Sequence, residues 1–219
     1  MIILDVDGVL IDVLAGLERN LKLAALHFDL PITPIKNNFK AVRLGKTRSK
    51  GNARDSTRML WPELSEKEIT QFVDYFYVVE RMHSYPLIEG SIETIEFFYR
   101  RGVPLALCTN NPKKILAWRL EATGIDQSMF AAITTMDDAY RKPHPKAFDP
   151  IFSVIRAKRE HTIYVGDLQI DYDAAKKAGI VFIAVLSGGV PSTAFCREGV
   201  LSTHIIERLS DILLLIHDQ

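Results

Sequence analysis

Five short apolar runs in this chain each end abruptly in polar residues, and that pattern constrains the fold more than any other feature. Residues 1–4 stop at Asp5-Val6-Asp7-Gly8, residues 103–108 at Thr109-Asn110-Asn111-Pro112, and residues 130–133 at Thr134-Thr135. Residues 162–165 stop at Gly166-Asp167, and residues 180–186 at Ser187-Gly188-Gly189. Runs this short and this continuously apolar suit strands covered on both faces, the usual condition of a parallel sheet. Helical segments separate them. Residues 91–101 place Ile92, Ile95, Phe98 and Tyr99 at helical spacing before Gly102, while residues 113–123 and 171–178 stop before Gly124 and Gly179. The alternation predicts an α/β fold with a doubly wound, Rossmann-like parallel sheet. Sheets of this kind bind ligands beyond the carboxyl ends of their strands, which is where the polar clusters fall.

Residues 12–85 break the rhythm. Segments 14–28, 55–60 and 65–82 read as helices with no convincing strand among them, and Ser65-Glu66-Lys67-Glu68 matches a capping box. A length of 219 residues allows one large domain or two modest ones. The simplest organisation is a core of residues 1–12 and 86–219 with an all-helical cap inserted at 13–85. Two cysteines outside any CxxC pair exclude a disulfide framework, and six histidines without HExxH spacing argue against zinc. Apolar runs fall far short of the roughly 20 residues of a spanning helix. The chain opens on a strand-like run without the charged region and cleavage site of a leader. The expectation is a cytoplasmic protein with no membrane contact.

Asp5 and Asp7 are two apart, so an extended backbone puts them on one face, although Asp-Gly is also ordinary turn chemistry. Asp167 and Asp171 close another strand, and adjacent parallel strands would bring these carboxylates within a few ångströms of the first pair. Two like charges about 4 Å apart repel by about 4 kcal/mol at an effective dielectric of 20, so such a cluster needs cations. An all-oxygen set with no nearby Cys or His suits a hard ion, and few protein ligands favour Mg²⁺ over Ca²⁺. Lys142, in Arg141-Lys142-Pro143-His144-Pro145, is the second candidate cation. Thr109 and Asn110 precede a helix, where a hydroxyl and free N–H groups favour anions such as phosphate.

Taken in order, Asp5-Val-Asp-Gly-Val-Leu10, Leu107-Cys-Thr109-Asn110, Lys142-Pro143 and Gly166-Asp167-xxx-Asp171, followed by Ala174-Ala-Lys-Lys-Ala-Gly179, resemble the four motifs of the haloacid dehalogenase-like hydrolases. The helical insertion after the first motif resembles the C1 cap of the phosphoglycolate phosphatase and β-phosphoglucomutase group. The resemblance implies a Mg²⁺-dependent phosphatase of a small phosphomonoester, phosphoglycolate-like, working through an aspartyl-phosphate. It implies Asp5 as nucleophile and Asp7 as general acid and base. The Asp7 carbonyl with the Asp5 and Asp167 side chains would hold the metal, with Asp171 supporting the metal or Lys142. Thr109, the Asn110 amide and Lys142 would hold phosphate oxygens. Superfamily dehalogenases lack an Asp at the position of Asp7, so its presence implies phosphoryl transfer. Val13 and Leu168 depart from the group's pattern, where hydroxyl residues are common.

Residues 36–58 carry Lys36, Lys40, Arg43, Lys46, Arg48, Lys50, Arg54 and Arg58 against Asp55 alone. That stretch reads either as a solvated surface or as a positive lid for a small phosphorylated metabolite, with Arg43-Leu44-Gly45-Lys46 as candidate substrate loop. Zero net charge and few aromatics here argue against a nucleic-acid partner. A sugar-phosphate mutase, which would use the same core residues, and a non-catalytic phosphate-binding scaffold are the alternatives. The sequence is compatible with a monomer or a homodimer.

Overall fold

The structure, a computed structural model, describes residues 1–217. Its sheet contains β1 (Ile2–Leu4), β2 (Leu105–Cys108), β3 (Ala132–Thr134), β4 (Ile163–Gly166), β5 (Val181–Val185) and β6 (Ile205–Ile206), all parallel, in the order 3-2-1-4-5-6. Alternation decides what each face buries. Ile2, Leu4, Leu105, Leu107, Val165 and Ile183 enter one apolar layer, and Ile3, Ala106, Cys108, Tyr164 and Phe182 the other. Continuous apolar runs were therefore the right mark of a doubly covered sheet. β6, only two residues long, has no such run to reveal it, and β3 begins two residues later than the apolar pattern suggests.

Between β1 and β2 the chain forms α1 (Leu17–His27), α2 (Thr33–Arg43), α3 (Ala53–Leu60) and α4 (Glu66–Met82), then α5 (Ser91–Arg100). After β2 come α6 (Lys113–Thr123), α7 (Asp149–Val154), α8 (Gln169–Ala178), α9 (Ser192–Glu198) and α10 (Ile212–His217). Ile95, Phe98, Leu116 and Leu120 of α5 and α6 pack on one sheet face, with Ile212 of α10. Ile151, Ala174, Ala175 and Phe195 of α7, α8 and α9 pack on the other. This is the doubly wound α/β architecture that the alternation implied.

Helices α1 to α4 share a separate apolar centre that includes Leu21, Ala24, Ile35, Phe39, Trp61, Phe72 and Phe76. The indole of Trp61 donates to the Pro31 carbonyl at 3.1 Å, so this large ring is buried with its polar atom satisfied. The capping box forms as expected: Ser65 N–H donates to Glu68 Oε2 at 2.8 Å and Glu68 N–H to Ser65 Oγ at 3.3 Å. α2 is an element the sequence reading missed, because only Ile35 and Phe39 are buried along a strongly basic segment. The chain leaves and re-enters the sheet region by adjacent passes, with Asp12 N–H on the Pro86 carbonyl and Ile88 N–H on the Leu10 carbonyl, both at 2.9 Å. Among the described residues, no helix is long and apolar enough to cross a membrane.

Candidate active site

β1 lies between β2 and β4, with Leu4 paired to both Leu107 and Val165. Strand order reverses here, so the crevice past the carboxyl ends of β1 and β4 is the expected binding position. Asp5 and Asp7 follow β1, Thr109 and Asn110 follow β2, and Asp167 follows β4. Carboxylate oxygens of Asp5, Asp167 and Asp171 lie within 4.8 Å of one another, all three residues buried.

Lys142 enters this cluster from the β3–α7 connection. Its ammonium sits 2.9 Å from Asp5 Oδ2 and 2.7 Å from Asp171 Oδ1, and donates to Tyr164 Oη at 2.8 Å. Those three partners match the three donors of a lysine, which explains how its head group is tolerated in a buried site. Burial by itself would discharge Lys142, but the Asp171 and Asp5 carboxylates outweigh it and raise its proton affinity. The remaining Asp171 oxygen accepts the Leu168 N–H at 2.9 Å, and Tyr164 Oη donates to Asp171 Oδ1 at 2.9 Å. Asp171 is thus engaged chiefly with Lys142, Tyr164 and the start of α8. Asn110 holds the same lysine by its backbone: Lys142 N–H donates to Asn110 Oδ1 at 3.0 Å, and Asn110 Nδ2 to the Lys142 carbonyl at 2.9 Å. Thr109, also buried, accepts the Asn111 N–H on its hydroxyl at 3.2 Å.

The donor set fits a hard divalent cation. Asp5, Asp167 and Asp171 against Lys142 leave a formal charge of −2, which one divalent ion cancels. Asp167 Oδ1 is buried with no hydrogen-bond partner among the described residues, an orphan acceptor of the kind a metal would satisfy. Two glycines make room for this carboxylate. A Cβ at Gly8, whose φ is +73°, or at Gly188 would overlap Asp167. Burial raises Asp167 well above the usual carboxylate range, with Asp171 and Asp5 adding repulsion that Lys142 only partly offsets. Burial likewise pushes Asp5 up to about 7, opposed by Lys142 and reinforced by Asp171 and Asp7.

The raised carboxyls have a sign that can be checked. Folded-state pKa values above the unfolded ones mean that the folded form holds protons the unfolded form has already lost. Metal-free protein should therefore lose stability as pH rises from about 4, the unfolded Asp value, through about 7, where Asp5 titrates. Urea midpoints across that range should fall, and a divalent cation should flatten the fall. Midpoints that rise over the same interval would refute the buried-charge reading.

Asp7 is held by a different cation, Arg119. Both its carboxylate oxygens contact Arg119 Nη1, and Asn111 Nδ2 donates to Oδ2 at 3.0 Å. Arg119, on α6, belongs to none of the four motifs, and neither does its second partner, Glu80 of α4. Tyr164 is a further residue that the sequence reading did not single out, since an aromatic inside a strand reads as core. Arg43 lines the cavity between the strand ends and the helices, a space of about 150 Å³ walled also by Leu14, Leu17, Phe39 and Val42. Lys46 is exposed and lies outside the described cavity lining, in the turn after α2 where Arg197 of α9 donates to the Gly45 carbonyl at 2.6 Å. The four arginines of the basic stretch are ion-paired: Arg43 with Glu18, Arg48 with Asp173, Arg54 with Glu66, and Arg58 with Asp55 and Glu66.

The model of the haloacid dehalogenase-like hydrolase family matches residues 2–185, and the chain belongs to that family. The phosphoglycolate phosphatase of Mesorhizobium japonicum is 28% identical to it over 221 residues, covering 95% of this chain and 96% of the relative. Pyrophosphatase PpaX of Oceanobacillus iheyensis is 27% identical, covering 99% and 96% of the two chains. Among solved structures, a hydrolase from Pseudomonas syringae superposes with a TM-score of 0.81 at 23% identity, covering 99% and 97%, which establishes the shared fold.

Proposed function

We propose that this hydrolase is a Mg²⁺-dependent phosphatase of small phosphomonoesters that works through an aspartyl-phosphate on Asp5. The observation that carries the reading is the buried convergence of Asp5, Asp167 and Lys142 at the sheet's switch point. The names of relatives as phosphoglycolate phosphatases and pyrophosphatases support phosphoryl transfer as the chemistry. A carboxylate nucleophile divides one slow displacement into two easier ones. Asp5 would form a bond to phosphorus as the ester P–O bond breaks, and the departing oxygen would take its proton from Asp7. Water would then attack the phosphorus, pass a proton to Asp7 and release inorganic phosphate with Asp5 restored. General acid–base help of this kind contributes roughly 10²–10⁴-fold.

A metal bound by Asp5 and Asp167, with the Asp7 carbonyl, would neutralise charge on the phosphoryl oxygens. Thr109, the Asn110 amide and Lys142 would orient those oxygens, with Asp171 holding Lys142 in place. Lys142 already touches Asp5, so a phosphoryl group arriving there meets a cation held in place by Asp171 and Tyr164, and the donor now on Asp5 would turn to a phosphoryl oxygen. Residues 13–85 would serve as the cap over this chemistry. The cavity is well below the roughly 300–1,000 Å³ of sites for drug-sized ligands, which favours a substrate of phosphoglycolate size. Arg43 of α2, which also pairs with Glu18 at 3.6 Å, and Arg119 of α6 are cations on the cavity wall, and Arg43 is our candidate for an acid group on the substrate.

A panel of phosphoglycolate, pyrophosphate, sugar phosphates and an aryl phosphate, each with and without Mg²⁺, tests the proposal. Release of inorganic phosphate that needs the metal is expected, with phosphoglycolate among the best substrates. Isomerisation of a sugar phosphate without net release would replace the phosphatase with a mutase.

A further inference from the structure

The carboxylate assigned to proton transfer does not stand alone. Asp7 is bound through Arg119 to a residue of the helical insertion, and every link in that chain is visible. Arg119 Nη1 meets Asp7 and donates to Asn111 Oδ1 at 3.2 Å. Its Nη2 donates to both oxygens of Glu80, at 2.7 and 2.9 Å. Tyr85 Oη donates to Glu80 Oε1 at 2.6 Å and accepts from Asn20 Nδ2 of α1 at 3.2 Å. Arg119 is 5% exposed and Glu80 fully buried, so water screens this pair little.

We infer that Arg119 is a positioning residue for Asp7 and that Glu80 sets Arg119, so that the insertion helices aim the proton-transferring group through one buried carboxylate–guanidinium–carboxylate chain. The argument is geometric. A guanidinium is a rigid planar fork, so fixing one nitrogen fixes where the other points. Nη2 is fixed from α4 by two bonds, and Nη1 therefore presents its N–H groups to the place where Asp7 sits. Arg119 Nε is buried without a partner among the described residues, so the fork is oriented through its two terminal nitrogens. Asn111 brackets the same carboxylate and the same guanidinium, which narrows the choice of Asp7 rotamers further. Any displacement of α4 relative to the sheet would move Glu80, and Arg119 would carry that movement to Asp7.

The inference rests on Asp7 being the general acid, and leaving-group chemistry separates the two claims. An alkyl phosphate needs its departing oxygen protonated, whereas 4-nitrophenyl phosphate has a leaving group that departs unaided. kcat/KM, which reports events up to phosphoryl transfer, should be measured on both substrates for Asp7→Asn, Arg119→Met, Arg119→Lys and Glu80→Gln. Asp7→Asn should depress the alkyl ester selectively. Arg119→Met and Glu80→Gln should show the same selectivity in weaker form, about tenfold on the alkyl ester with little change on the aryl ester, and Arg119→Lys should recover part of it. Equal losses on both esters in Arg119→Met and Glu80→Gln, with selectivity intact in Asp7→Asn, would overturn the relay and leave the role of Asp7 standing. No selectivity in Asp7→Asn would overturn both. Glu80→Gln keeps the side-chain shape and the Tyr85 contact, so it decides the matter should Arg119→Met fail to fold.

Discussion

Asp5→Asn should abolish turnover while leaving the protein folded, and at least as stable as before in the absence of metal. An amide cannot attack phosphorus, and losses of about 10⁴–10⁶-fold are the scale on which removal of a nucleophile registers. The stability half of the expectation comes from the same carboxylate. Burial drives Asp5 up to about 7, so the folded site resists its charge, and a neutral isostere relieves that resistance. The amide keeps one acceptor, for either the Val6 N–H that Asp5 Oδ1 now takes at 2.8 Å or the Lys142 ammonium, and gives up the other. Lys142 loses one carboxylate but retains Asp171 and Tyr164. Steady-state assays and thermal melts of the same preparation check both halves. Turnover close to that of the parent would dismiss Asp5 as the nucleophile.

Asp167→Asn should have the second largest effect, and it should fall on the metal. Buried Asp167 Oδ1 has no hydrogen-bond partner among the described residues, and the glycines at 8 and 188 leave space for this side chain; those two observations are why it is our proposed metal ligand. Loss of an outer-shell partner typically costs 10–100-fold in metal affinity, and loss of a direct ligand should cost at least about 100-fold. Binding to the folded state alone raises the melting temperature with ion concentration. Titration of the parent with Mg²⁺ should therefore raise its melting temperature, and the variant should need far more ion for the same rise. Identical titration curves would exclude Asp167 as a ligand. Because the readout is stability, the result does not depend on having found the right substrate.

How much of this was legible beforehand follows from what leaves a local mark in a sequence. Apolar runs at residues 1–4, 103–108 and 162–165 announce β1, β2 and β4, because a doubly covered strand has no polar face to dilute the pattern. The acidic and hydroxyl residues at their ends become neighbours as a direct consequence of parallel pairing, so Asp5, Thr109 and Asp167 could be anticipated together. α2 could not, since its two buried residues sit among lysines and arginines. Arg119 and Glu80 were hidden for a different reason. Each is an ordinary charged residue on a helix, and only the folded chain, where Arg119 Nη2 meets both Glu80 oxygens, reveals that they face one another. Lys46 shows the opposite limit: its charge suggested a substrate contact, and no local mark told that the neighbouring Gly45 carbonyl is held by Arg197 of α9.

The most direct test of covalent chemistry on Asp5 is rapid acid quenching followed by peptide mass spectrometry. The Asp7→Asn variant suits it, mixed with Mg²⁺ and 4-nitrophenyl phosphate, because an aryl leaving group needs no acid while hydrolysis of the phosphoenzyme still needs a base. The expected result is a phosphoryl group on the peptide carrying Asp5, appearing with a burst of nitrophenol and absent when Asp5 is also replaced by Asn. Nitrophenol and inorganic phosphate released together at a steady rate, with Asp5 unmodified at every quench time, would contradict it.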